Sequence, residues 1–391
     1  MIIPKLSVRN ILGAGTKTWL NAVVLSFAFV TIIWGQSLFK GIDEEGSRAM
    51  VDMQVGGGQY WVESYDPLDP FSLEKAHAPL PPPLLEAVAA GDAAPILIVQ
   101  ATAYPQGRVL PVELRGIEPV QTVLTFPTAY LSGRPDVIPA LIGARMAKSA
   151  GLAKGDAVTV RWRDAKGTFD ARDLVVVETF TTTLQTIDAG QIWIPLGSLR
   201  EMAAMPGEAT MAVVRQGFQP SFAVPGWVFR DLGFLKQDLD AFIKTKTIGM
   251  SVMYILLMFL ALLAIFNTQV LAVFRRRREI GTMMALGMTR ERVIGLFTLE
   301  GALQSLLAVL VGAVYGVPLL ALFKAHGWKL PSGQADNFGL TIGNVLYPVY
   351  SVGLVVGTAA LVFAATAVVS FLPARKIAKL KPTDALKGKL K

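Results

Sequence analysis

Within the four longest apolar runs of this 391-residue chain the only charged residue is Glu300. An acid in such a run is a functional candidate, because burying it in hydrocarbon is costly. It could couple a proton or serve as a structural hydrogen-bonding group. It follows Arg292 by eight residues, about 12 Å of helical rise, so it reads as lying near the inner interface, with Gln304 one turn deeper. The structural role is the favoured reading. Little else in the chain offers chemistry. There is no cysteine, so thiolate ligands, cysteine nucleophiles and disulfides are excluded. The two histidines, His77 and His326, stand alone and read as loop residues rather than metal ligands. No Walker-type Gly-x-x-x-x-Gly-Lys-Ser/Thr occurs, and Gly56-Gly57-Gly58 precedes a strand and reads as a turn. The carboxylates form no paired constellation, so the chain does not read as an enzyme.

The elements around Glu300 follow from hydropathy. The chain is 52% hydrophobic and 17% charged, with a mean hydropathy of +0.48. That balance suits several membrane spans plus one water-soluble domain. The uncharged runs 20–39, 248–274 and 342–372, with 293–323 around Glu300, each exceed the roughly 20 residues that a helix needs to cross a bilayer. The net charge of +8 is unevenly spread: residues 40–247 carry 19 Lys/Arg against 24 Asp/Glu, and the remainder 18 against 5. The basic residues flank apolar runs rather than alternating with aromatics, which fits membrane topology and not nucleic acid. Segments 1–19, 275–292 and 373–391 are basic and are expected inside, with both termini cytoplasmic. Residues 40–247 and the short loop 324–341 are expected outside. The fold class is therefore an α-helical membrane protein with four transmembrane helices and a large mixed α/β extracytoplasmic domain between the first and second spans.

In that domain, segments 60–64, 96–99, 112–114, 158–162 and 174–177 are rich in β-branched and aromatic residues and predict strands. Helices are expected over 84–90 and 137–150, the second stopped by Gly151. Turns are expected at Lys154-Gly155-Asp156 and Ala165-Lys166-Gly167. Leu232, Leu235, Leu239, Phe242 and Ile243 share a helical face that runs into the second span without a break. This predicts either a stalk paired with an extension of the first span through 44–53, or an amphipathic helix packed on the domain.

Residues 275–292, RRRREIGTMMALGMTRER, hold six of the arginines. Good helix formers extend to Leu286, Gly287 ends the helix, and Thr289 is placed to cap the next one. Ile280, Met283, Met284 and Leu286 are apolar in a segment expected at the cytoplasmic face, which suits either an adaptable partner surface or an anchor in the headgroup layer. Gly312-x-x-x-Gly316 and Gly353-x-x-x-Gly357 offer close helix approach, with packing of the third and fourth spans within one subunit favoured over a dimer contact.

Arg278-Glu279-Ile280-Gly281, then Ala285-Leu286-Gly287-Met288-Thr289, then Phe297, Glu300-Gly301, Gly312 and Gly316 resemble the FtsX-like permease module of mechanotransmitting (type VII) ABC transporters. That family includes macrolide-exporter, lipoprotein-releasing and cell-division permeases. The start Leu6–Leu12 and the tail Pro373–Leu386 are similar to its terminal motifs, and 142–156 looks like its MacB-type core domain. The resemblance implies that Arg278, Glu279, Gly281, Met284, Leu286 and Gly287 form a coupling helix touching a separate cytosolic ATPase. It further implies two ATPase copies, a homo- or heterodimer of permeases in a bacterial inner membrane, no cofactor on this chain, and ATP–Mg in the ATPase. An adaptor or substrate carrier outside would complete the assembly. The expected activity is export or extraction of a lipid, lipoprotein, peptide or drug. The rival readings are a regulator that activates a periplasmic partner such as a cell-wall hydrolase, and a sensor with no ATPase.

Overall fold

The computed structural model describes residues 16–133, 137–182, 185–218, 224–329 and 345–378. The amino-terminal motif, most of the 324–341 loop and the tail beyond Ala378 lie outside them. The chain divides into two compact units, one formed by 43–242 with 330–345, the other by 1–42, 243–329 and 346–391.

The first unit is mixed α/β. Its elements are β1 (Gly58–Val62), α2 (Pro82–Ala89), β2 (Ala93–Ala103), β3 (Leu110–Ile117), β4 (Ile138–Gly143), α3 (Ala144–Ala150), β5 (Ala157–Arg163), β6 (Phe169–Phe180), α4 (Gln185–Gly190), β7 (Gln191–Pro195), α5 (Leu196–Ala203), β8 (Met211–Val214) and β9 (Trp227–Arg230). The nine strands run in the order β9-β1-β8-β2-β3-β7-β4-β6-β5. Ala101 to Ala103 of β2 also pair with Trp162 to Val160 of β5. That last pairing closes β2-β3-β7-β4-β6-β5 into a barrel, which leaves no open edge among those strands. Side chains alternate along each strand, so Leu97, Val99, Leu114, Ile142, Val160, Trp162, Val176, Ile192 and Ile194 fill the inside. Ile96, Ile98, Leu141 and Trp193 point the other way into a second core with Phe126 and Phe180.

One expectation for this unit needs correction. Residues 137–143 are not helical: Ile138–Gly143 is strand β4, parallel to β6 and antiparallel to β7, and only Ala144–Ala150 is helix. Flanked by strands on both edges and buried on both faces, β4 shows no period-2 alternation, and its apolar run mimics a buried helix. The turns behave as expected. Gly151 closes α3 at φ +67 and Gly167 turns the β5–β6 hairpin at φ +86, conformations that L side chains avoid. The helix bearing Leu235 and Leu239 packs here as well, with Gly46 giving Leu239 room at 3.8 Å from where a Cβ would lie.

The second unit is helical. Four helices among the described residues are long and apolar enough to cross a membrane. They are α1 (Thr16–Met50), α6 (Leu232–Arg275), α8 (Arg290–His326) and α9 (Val352–Ala378), with the short α7 (Arg277–Ala285) between α6 and α8. At about 1.5 Å per residue the 44 residues of α6 span about 66 Å, roughly twice a bilayer's hydrocarbon core. The fourth helix starts later than the hydropathy predicted: Val345–Leu346 is a short strand and helix begins at Val352. Ser351 sets the later start, its Oγ accepting the Leu354 N–H as an N-cap, while Pro348 disfavours helical geometry in the residue before it. Leu25, Phe29, Ile33, Tyr254, Met258, Ile265, Ala308 and Val362 form the core of this unit.

Candidate functional site

The helix α6 ends at Arg275, and Arg276 leaves helical geometry at φ −93 and ψ 11. The elbow helix α7 follows and is closed by hydrogen bonds from Gly287 N–H to the Met284 carbonyl and from Met288 N–H to the Met283 carbonyl. That pair of bonds is the Schellman motif. It requires a left-handed residue, supplied by Gly287 at φ +98. Helix α8 then begins after Thr289. The backbone of Thr289 is extended as a cap should be, yet its hydroxyl makes no capping hydrogen bond, which corrects the expectation above.

Packing decides which elbow residues are free for a partner. Ile280 and Gly281 are buried, and Met283, Met284, Met288 and Ile294 pack around Val273, Ile280, Val293, Phe297 and Ala374. The methionines therefore hold the elbow onto α6, α8 and α9 and do not form the spare apolar surface that the sequence suggested. Leu286 is different, being 83% exposed. Arg278, Thr282, Ala285 and Gly287 are exposed beside it.

Glu300 is buried on the inner side of this elbow. Arg276 Nη1 donates to both of its carboxylate oxygens at 3.3 and 3.2 Å, and Arg276 Nε donates to Glu279 at 3.2 Å. The guanidinium also lies over the Phe297 ring at 5.9 Å. Sequence reasoning picked out Glu300 and missed Arg276. A lone buried acid demands a donor, but the clustered arginines gave no spacing that singled one out. Gln304 is buried one turn on, with its Oε1 unpartnered. Gly301 brings α9 close: a Cβ there would overlap the Ser370 hydroxyl.

The glycine pairs separate. Gly312 and Gly316 admit α1, since Cβ atoms would lie 3.4 Å from Phe29 and 2.8 Å from Val30. Gly353 and Gly357 are exposed, and a Cβ at either would meet nothing within 4 Å among the described residues. Neither pair joins the third span to the fourth; Gly301 against Ser370 does so. Small residues permit close approach without choosing the neighbour.

Residues 251–382 match the family described as FtsX-like permease C-terminal. The match covers about a third of the chain, so it is this segment that is similar to the FtsX-like permeases. The elbow, Glu300 and the glycines of both Gly-x-x-x-Gly pairs fall inside the matched segment. The macrolide export ATP-binding/permease protein MacB of Brucella abortus is 28% identical over 156 residues, covering 40% of this chain and 21% of that protein. MacB of a Shewanella species is 25% identical over 189 residues, covering 48% and 26%. An ABC transporter permease of Methanocaldococcus jannaschii is 26% identical over 125 residues, covering 31% and 28%. The matches thus span about a quarter of these relatives' length. Among solved structures, the extracellular domain of the noncanonic ABC-type transporter YknZ matches at 15% identity and a TM-score of 0.26, over 41% of this chain and 83% of that one.

Proposed function

We propose that this chain is the permease subunit of an ABC transporter that relays the motion of a separate cytosolic ATPase to its mixed α/β unit, placed outside the membrane. The observation that carries this reading is the elbow. It is a short helix with fixed ends, held by a methionine-rich core, and it presents Arg278, Leu286 and Gly287 outward. A nucleotide cycle does work at a distance only where its two states favour two arrangements of a stiff connection. Helix α6 runs unbroken for 44 residues, which supports such a connection. Two permeases with two ATPases, in an inner membrane with both termini inside, complete the assembly. The substrate is handled outside, as a lipid, lipoprotein, peptide or drug. The sparse charge of the spans supports this, since a polar conduit would need ionisable lining.

The absence of cysteine makes the topology directly testable. Single variants Leu68→Cys and Leu286→Cys place thiols at side chains that are 86% and 83% exposed. An impermeant maleimide should label them from opposite faces of inverted and right-side-out vesicles. Labelling of both from one face refutes the proposal.

A further inference from the structure

We propose that Arg276 is a positioning residue, whose bonds to Glu300 and Glu279 make the end of α6, the elbow α7 and the start of α8 one rigid body. The inference rests on the coupling reading above and specifies how that site avoids losing motion at its own bend.

The chain departs from helical geometry at Arg276, where the backbone ties α6 to α7 through only part of a helical ladder, with Arg276 N–H on the Ala272 carbonyl and Ile280 N–H on the Arg276 carbonyl. Motion delivered at Leu286 would be absorbed there unless something bridged the break. The bridging group is the side chain of the breaking residue itself. Of the segment's arginines with described side chains, Arg275, Arg278, Arg290 and Arg292 are exposed and Arg276 is not. Its guanidinium touches all three elements: it grows from the end of α6, bonds Glu279 on α7, and bonds both oxygens of Glu300 on α8. The Glu300 side chain is only 8% exposed and that of Arg276 28%. Gly301 lets Ser370 of α9 close over the same level. A charge pair with that burial is expensive to open and directional in its two-oxygen geometry, unlike an exposed topology anchor. A bare anchor would need no carboxylate inside an apolar helix.

The test uses the full chain in lipid bilayers. Spin labels on a Thr282→Cys/Gly295→Cys pair report the α7–α8 distance by pulsed electron paramagnetic resonance. Both sites are exposed, and a Cβ at Gly295 meets nothing within 4 Å. A control pair, Leu310→Cys/Val355→Cys, reports α8 against α9 away from the bend. The unmodified chain should give one narrow elbow distance. Glu300→Gln and Arg276→Gln should each broaden it by about twofold or more, by releasing a local opening of the bend. The control pair should stay unchanged. An elbow distance that stays narrow in both single variants overturns the proposal. So does equal broadening at the control pair, which would make the contact general packing. The measurement needs no ATPase, so failure of the latch and failure of the transporter reading are separable.

Discussion

Leu286→Ala separates a docking residue from a packing residue at one position. The side chain is 83% exposed, so folding gains little from it and its loss should change stability by no more than about 0.5 kcal/mol. The truncation removes three carbons. At about 0.8 kcal/mol per buried CH2 they are worth about 2.4 kcal/mol when a partner covers them fully. Most of that area is open in the free chain, so binding should lose about 2 kcal/mol, roughly thirtyfold in Kd. The assay is a titration of the purified cognate ATPase onto the permease in nanodiscs, run beside thermal unfolding of the same samples. Ile280→Ala supplies the contrast. Ile280 is 1% exposed in the elbow core, so its truncation should cost about 2–5 kcal/mol of local stability. An unchanged Kd for Leu286→Ala, or a loss of stability above about 1 kcal/mol, refutes the docking argument.

Gly316→Leu should destabilise the helical unit by about 1–3 kcal/mol, because the added side chain must displace Val30 from 2.8 Å, whereas Gly353→Leu meets open space and should be near neutral in the isolated subunit. Denaturant-induced unfolding followed by tryptophan fluorescence distinguishes the two, and equal effects would remove the α1 contact as the cause. In the α/β unit, Asp188 is buried against Arg145; burial pushes its carboxyl pKa up, and the Arg145 backbone N–H and guanidinium pull it down less strongly. Folding thus favours protonated Asp188, so its stability contribution is full below the ordinary value of 3.8 and is lost as pH rises through the raised native value. The stability of the wild type minus that of Asp188→Asn should fall across that window and then level off, and a difference that grows with pH would reverse the assignment.

The contrast between these sites shows what spacing can and cannot reveal. The strands around Trp61, Ile98, Val160 and Val176 were readable because β-branched runs and glycine turns are local signals. Strand β4 was not readable, because a strand covered on both faces loses the alternation that distinguishes it from a helix. Closure of the barrel depends on Ala101 meeting Trp162 across 61 positions, which no local pattern encodes. At the elbow, Ile280, Met283, Met284 and Leu286 are all apolar and lie within two turns of helix. Whether such a residue docks a partner or packs inward depends on where Val273 and Phe297 lie, and they belong to other helices. The same holds for Glu300: hydropathy marks it as needing a partner, yet Arg276 stands 24 positions away among six arginines. Gly312-x-x-x-Gly316 and Gly353-x-x-x-Gly357 are identical as patterns, and only the presence of Val30 against the first makes it a contact. An unpartnered Gly353 face within the subunit therefore carries no packing role by pattern alone. At the elbow, the apolar residue open to a partner is Leu286, the one that the chain's own packing leaves over.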